Sequence, residues 1–354
     1  MSTVSTSSTP PAASSAAVED RVAPRTGAVK LLRLPEIGAL LGAVAVCVFF
    51  LIVASAFRNV DNVGTILYGA ATIGIMAVPV ALLMVGGEFD LSAGVAVTSS
   101  GLAASLLAWY FNFHVWFAVL LALVVSLLIG LFNGVMLNRT GLPSFLVTLG
   151  TFFILQGVNL GMTKVVTGNV ASNNISDMQG FDSAKNVFAW ETSIGSVAIK
   201  APIVYWLIIT VIAAVVLRKS RFGNWIYAVG GDSDAARAVG VPVRGVRVVL
   251  YLFVGFCAWL AGMHLLFEFN TVQSGDGVGN EFIFIIAAVV GGCLLTGGYG
   301  SAIGASLGAL IFAMTQLGIN YAGWNPDWFK TFLGVMLVLA TLVNVWVKKK
   351  ADAR

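Results

Sequence analysis

The stretch Val85-Gly86-Gly87-Glu88-Phe89-Asp90-Leu91-Ser92-Ala93-Gly94 places two carboxylates and a cluster of small residues between two long apolar segments. Charge is costly beside hydrocarbon, so an acidic pair at a glycine-rich break normally lines a cavity, caps a helix end or meets a partner. That combination makes transport the first functional hypothesis.

The surrounding composition agrees. The chain of 354 residues is 58% hydrophobic and 10% charged, with 39 glycines and a mean hydropathy of +0.92, far from a soluble globular domain. A bilayer is crossed by roughly 17 to 25 uncharged residues, and such runs occur at 37–57, 63–85, 115–137, 145–163, 201–217, 248–267, 301–323 and 328–347. Two weaker runs, 93–111 and 282–295, are short or rich in small residues, as helices packed inside a bundle are. The expected fold class is an all-α polytopic membrane helix bundle of about ten transmembrane helices.

Positively charged loop flanks stay in the cytoplasm. With ten spans both termini share one side, and that side collects Arg21, Arg25, Lys30, Arg33, Arg139, Arg218, Lys219, Arg221, Arg237, Arg244, Arg247, Lys348, Lys349, Lys350 and Arg354. Only Arg58, Lys164, Lys185, Lys200 and Lys330 fall opposite, so both termini are expected in the cytoplasm. Topology accounts for the net charge of +4, and no nucleic-acid partner is expected. Residues 1–35 read as a disordered cytoplasmic tail, 36–348 as the membrane domain with a long internal loop at 218–247, and 349–354 as a C-terminal tail. Cys47, Cys257 and Cys293 all sit in apolar runs and read as small buried hydrophobes, with no metal set.

Two connections are long. The external one, 164–200, carries Asn, Ser, Asp and Gly with Phe181, Phe188 and Trp190, and reads as folded onto the outer face, either in a functional role or as a plain cover. The internal one centres on a short helix: Asp232 or Ser233 can cap it, Asp234 suits its first turn, Ala235, Ala236 and Ala238 propagate it, Gly240 ends it and Pro242 prevents continuation. So short a helix needs a packing partner, either a cytoplasmic protein or the membrane surface. A second glycine-rich break, from Gly291 and Gly292 to Gly297, Gly298 and Gly300, resembles the first in layout and suggests two related halves. Gly300, Gly304 and Gly308 continue from it at four-residue spacing, a pattern that permits close backbone approach.

Taken together, Gly86 to Gly94, the segment Pro143-Ser144-Phe145-Leu146-Val147-Thr148-Leu149-Gly150, the segment Tyr227-Ala228-Val229-Gly230-Gly231-Asp232 leading to Ala235, Ala236 and Gly240, and the run from Glu281 through Gly291, Gly292, Gly297 and Gly298 to Gly304 resemble the ribose-type permeases of bacterial ABC sugar importers. The matches run in family order from about residue 60 to the end. The resemblance implies a homodimer in the bacterial plasma membrane, two separate ATP-binding cassette subunits that hydrolyse ATP, and an extracytoplasmic binding protein that delivers a monosaccharide or polyol. It implies no cofactor bound by this chain. The coupling segment would correspond to Gly231, Asp232, Asp234, Ala235, Ala236, Arg237 and Gly240, and the structural motifs to Gly87, Glu88, Asp90, Ser92, Gly291, Gly292, Gly297 and Gly298. Two positions depart from the pattern: Glu88 stands where relatives often have glycine, and Gln156 where many have a basic residue.

Asp90 and Ser92 are expected to bond helix-end amides near the cytoplasmic face. A neutral sugar needs aromatic faces and amides along its route, and the candidates are Phe152, Gln156, Asn159, Gln316 and Asn320; each amide could equally bond a neighbouring helix. His264 and Glu268, one turn apart, read either as a contact for ligand or binding protein or as a hydrogen-bonded pair at the membrane boundary. The competing reading is a proton- or sodium-coupled carrier, against which stand the capped cytoplasmic helix and the scarcity of acids deep in the spans. An embedded enzyme has little support, with two His, no His-Glu-x-x-His and no phosphate-binding Gly-x-x-x-x-Gly-Lys-Ser/Thr.

Overall fold

The computed structural model describes residues 35–352, with side chains from 36 to 342. The tail expected over 1–35 therefore lies outside the described residues apart from Pro35, as do residues 353 and 354. Eight helices are long and apolar enough to cross a membrane: α1 (Pro35–Val53), α2 (Asn62–Val85), α3 (Ala93–Phe111), α4 (Val115–Thr140), α5 (Ser144–Thr167), α7 (Ala201–Lys219), α10 (Val243–Phe269) and α12 (Ala302–Tyr321). Between α5 and α7 lie α6 (Phe181–Phe188) and the strands β1 (Glu191–Ile194) and β2 (Val197–Lys200), and between α7 and α10 lie α8 (Arg221–Gly231) and α9 (Ser233–Ala238). The two remaining expected spans fall on α11 (Asn280–Val290), apolar but only 11 residues long, and on α13 (Phe329–Asp352). The first expected span stops being α-helical at Val53, where the Arg58 guanidinium turns back and donates to the Leu51 and Ile52 carbonyls at 2.6 and 3.0 Å.

The helix pairs repeat. α2 packs on α12 as α10 packs on α4, and α3 packs on α10 as α11 packs on α2. Likewise α3 touches α4 and α5, while α11 touches α12 and α13. These pairs map onto one another when α2, α3, α4 and α5 are read as α10, α11, α12 and α13, which makes the bundle two related halves. Arg247 near the start of α10 pairs with Glu88 just past the end of α2 at 2.6 Å, so these equivalent helices run in opposite directions. The repeat is thus inverted, an arrangement that places a central site where the halves meet.

At 1.5 Å per residue α11 is about 16 Å long, roughly half of a ~30 Å hydrocarbon core. Its N-terminus stops inside the bundle, where Gly94 at the start of α3 lies directly on the Gly277 backbone and beside Glu281. Only glycine allows this approach, because a Cβ on Gly94 would overlap the Gly277 carbonyl oxygen.

On the side opposite α8 and α9, the long connection over 164–200 is ordered by its aromatics. Phe181 and Phe188 are buried, with ring centroids 5.5 and 5.6 Å from Phe267, and Phe188 also meets Trp259 at 5.5 Å. The β1–β2 hairpin turns at Gly195 (φ +64°) and delivers Lys200 to Glu268 (2.6 Å) and Glu191 (3.4 Å). Burial works against the Lys200 charge, but the Glu268 hydrogen bond and the nearby carboxylates outweigh it and raise its pKa. His264 and Glu268 do not pair with each other. His264 meets the Tyr68 hydroxyl through Nε2 and the Phe188 carbonyl through Nδ1, both at 2.9 Å, because α2 and α6 reach it from either side. Cys257 and Cys293 are buried, Cys47 is partly so, and none forms a disulfide.

Candidate functional site on the basic side of the bundle

Local sequence explains each part of this face. α2 ends because Gly87 takes φ +84°, and the Gly86, Gly87 and Glu88 amides donate back to Leu82, Met84 and Leu83 at 3.0, 2.9 and 3.1 Å. α11 ends the same way, bond for bond: Gly292 takes φ +96°, and the Gly291, Gly292 and Cys293 amides donate to Ala287, Val289 and Ala288 at 2.9, 2.9 and 3.0 Å. The two Gly-Gly breaks are therefore one structural device used twice on one side. Gly304 and Gly308 then seat α12 on the Gly291 and Ala287 carbonyls of the α11 end; Gly300 (φ +149°) precedes the helix and belongs to the break.

The first break is held by a buried polar chain. The Asp90 carboxylate accepts from the Ser92 amide (2.8 Å) and hydroxyl (2.6 Å). Ser92 Oγ accepts from Asn133 Nδ2 at 2.9 Å, and Asn133 Oδ1 accepts from Thr151 at 2.6 Å. Ser144 and Thr148 accept the Phe89 and Leu91 amides at 3.0 and 3.1 Å, and the Tyr251 hydroxyl donates to the Phe89 carbonyl at 2.8 Å. Glu88, buried, faces Arg247 as described above.

The loop over 218–247 forms two helices. Ser220 caps α8 by accepting from the Gly223 amide at 3.0 Å, and Asp232 caps α9 by accepting from the Asp234 and Ala235 amides, both at 2.9 Å. Gly240 (φ +86°) terminates the segment. Asp234, Ala235, Arg237, Ala238 and Val239 are exposed, whereas Ala236 is buried against the rest of the chain. α8 carries no counterpart in the sequence reading; Gly230 and Gly231 at its end obscure it.

Three backbones meet where α8 ends. Gly87 Cα, Gly230 and Gly297 lie in direct contact, the Gly298 amide donates to the Val85 carbonyl at 2.8 Å, and the Tyr227 hydroxyl donates to the Gly300 carbonyl at 2.8 Å. The exposed α9 segment is thus tied through α8 to both breaks at once.

The five candidate route residues are not brought together. Asn159 is buried and accepts from the Ser99 hydroxyl at 2.9 Å, with Phe152 and Gln156 half-buried along the same helix. Gln316 stands on the wall of a chamber between α2, α3, α10, α11 and α12, and Asn320 is exposed near the end of α12. Among the described residues no cluster of His, Cys, Asp or Glu could hold a metal.

A family model described as branched-chain amino acid transport system / permease component matches residues 62–341. The chain belongs to this family. The probable ABC transporter permease protein YphD of Escherichia coli (strain K12) is 31% identical over 321 residues, covering 90% of this chain and 91% of that protein. The ribose import permease protein RbsC of the same strain is 30% identical over 289 residues, 81% and 87% of the two chains. The fructose import permease protein FrcC of Rhizobium meliloti is 28% identical over 305 residues, 86% and 83%. No solved structure matches the chain. The protein is a multi-pass membrane permease subunit and not an enzyme in its own right, and a gradient-driven carrier finds no support among these relatives. The four segments that carried the resemblance, far apart in sequence, converge on the basic side.

Proposed function

We propose that this chain is the membrane-spanning subunit of an ATP-driven importer for a monosaccharide or polyol, worked by a separate ATP-binding cassette subunit and supplied by an extracytoplasmic binding protein. The observation that carries the reading is the α8–α9 segment: a capped helix with an exposed face, joined by glycine backbones to the breaks after α2 and α11. A gradient-driven carrier has no use for such a projecting link, whereas a permease moved by an external motor needs one. The excess of Arg and Lys on that side supports a cytoplasmic location for it and for both termini in a bacterial plasma membrane. In this reading Gly231, Asp232, Asp234, Ala235, Arg237 and Gly240 form or shape the docking face, and Ala236 anchors it from within.

A second copy of the chain completes the route. α5 is among the least enclosed of the long helices, and Gly150, Gly157 and Gly161 lie on one face of it with nothing of this chain against them. That face supports a dimer contact. Fructose and ribose in the names of the relatives point to the sugar class, and no cofactor is needed beyond the ATP used by the partner.

The test is purification of the tagged full-length chain from its native membrane, with identification of bound proteins and an ATPase assay. Recovery of an ATP-binding cassette protein, lost when residues 231–240 are altered, is the expected result. Recovery of the chain without any ATPase, with uptake that follows a proton or sodium gradient, would overturn the reading.

A further inference from the structure

One interior space lies wholly within a single protomer. A chamber of about 300 Å³ lies between α2, α3, α10, α11 and α12, against the inner ends of α3 and α11 where the two inverted halves meet. It reaches towards the side opposite α8 and α9, where Phe269 and Asp276 on its rim are exposed. Ligand pockets span roughly 300 to 1,000 Å³, so the space suits a single small solute.

Its walls carry neutral hydrogen-bonding groups from every surrounding helix: Tyr68, Thr98, His264, Asn280 and Gln316. Phe284 and Phe312 add aromatic surface. Thr98 is the telling residue. It is 1% exposed, and its hydroxyl has no hydrogen-bond partner. A buried hydroxyl left unpaired is costly, and a hydroxyl-bearing guest in the chamber would satisfy it.

The charges select among guests. No Lys or Arg lines the chamber. Lys200, 4.8 Å over the ring of the wall residue Tyr68, is already paired with Glu268 and Glu191. The free amides at the start of α11, which could receive an anion, face instead the buried carboxylate of Glu281, whose two oxygens each lie 3.1 Å from the Gly279 nitrogen. A guest carboxylate would find no cation in the lining and two acids at hand, Asp276 on the rim and the buried Glu281 beside it, whereas uncharged hydroxyls would find donors and acceptors throughout.

We infer that this chamber within each protomer is a solute-binding site for a neutral polyhydroxylated molecule, and that it disfavours free amino acids. The inference rests on the importer reading above and adds to it a place and a selectivity.

The experiment uses the complete transporter in proteoliposomes, with labelled D-ribose, D-fructose and L-leucine as probes, and the variants Thr98→Val and Gln316→Leu. ATP-driven uptake of a sugar and not of leucine is expected, with KM raised about tenfold in each variant, the effect of losing one well-placed hydrogen bond. Thr98→Val should leave the melting temperature unchanged or raised, because no native bond is lost; a merely structural Thr98 would lower it. Sugar uptake with wild-type KM in both variants would overturn the chamber while leaving the importer reading intact. Uptake of leucine alone would overturn the proposed selectivity. Failure of all three probes to enter in an ATP-dependent way would overturn the importer reading and the chamber with it.

Discussion

Gly230 and Gly231 are neighbours with opposite tolerances. A Cβ on Gly230 would overlap the Val85 carbonyl oxygen and come within 2.7 Å of the Gly298 amide nitrogen, while a Cβ on Gly231 would meet nothing within 4 Å. Gly230→Ala should therefore cost about 1 to 3 kcal/mol or more through overpacking, and Gly231→Ala close to nothing; thermal unfolding in detergent separates them, and equal melting temperatures would refute the joint. The Glu88–Arg247 pair makes a second residue-scale case. Both groups are largely enclosed, so Arg247→Met strands a buried carboxylate and should cost about 3 to 5 kcal/mol. Adding Glu88→Gln should recover most of that loss, read by the same melts. The sequence marks Glu88 as a departure from the family pattern but hides its partner, because 159 positions of chain separate them and only the return of α10 to the end of α2 brings them together.

Elements were legible to the degree that their signals are local. The α9 start and its stop at Gly240 depend on residues within one or two turns and follow from the sequence, which offered Asp232 or Ser233 as the cap; the structure uses Asp232. The α2 and α12 spans follow from long apolar runs in the same way. The β1–β2 hairpin offered a weak local signal, a two-residue turn at Gly195 and Ser196, but its strands, Glu-Thr-Ser-Ile and Val-Ala-Ile-Lys, show no alternation to reveal them. Which face of α9 looks outward is not a local property, and the structure assigns it: Ala236 in, Ala235, Arg237 and Val239 out. Replacing Ala235 or Val239 with Asp should thus reduce recovery of the ATPase subunit and transport-linked ATP hydrolysis severalfold while leaving stability within about 0.5 kcal/mol of wild type, as surface changes usually do. Ala236→Asp should instead lower the melting temperature. Co-purification yield and melts on the same preparations distinguish the two, and a docking role for this face fails if the outward variants behave like wild type.

At the scale of the molecule the basic side joins one break from each half of the inverted repeat. The breaks after α2 and α11 are not equivalent positions of that repeat, but each has one carbonyl held by a tyrosine hydroxyl: Phe89 by Tyr251 from α10, Gly300 by Tyr227 from α8, both at 2.8 Å. The glycine contacts between 87, 230 and 297 complete a rigid triangle, so a push on α9 reaches both halves through bonds and van der Waals contact with no flexible linker between. Packed interfaces of this kind transmit motion as rigid bodies. Loss of a single hydroxyl, in Tyr227→Phe or Tyr251→Phe, should cost about 1 kcal/mol in stability and lower the amount of solute moved per ATP hydrolysed. The double variant should lower it further than either alone, because each tyrosine anchors a different break. Measuring uptake and ATP hydrolysis together in proteoliposomes tests this. Unchanged stoichiometry in the double variant, at normal ATPase binding, would place the transmission elsewhere and leave the triangle a purely structural joint.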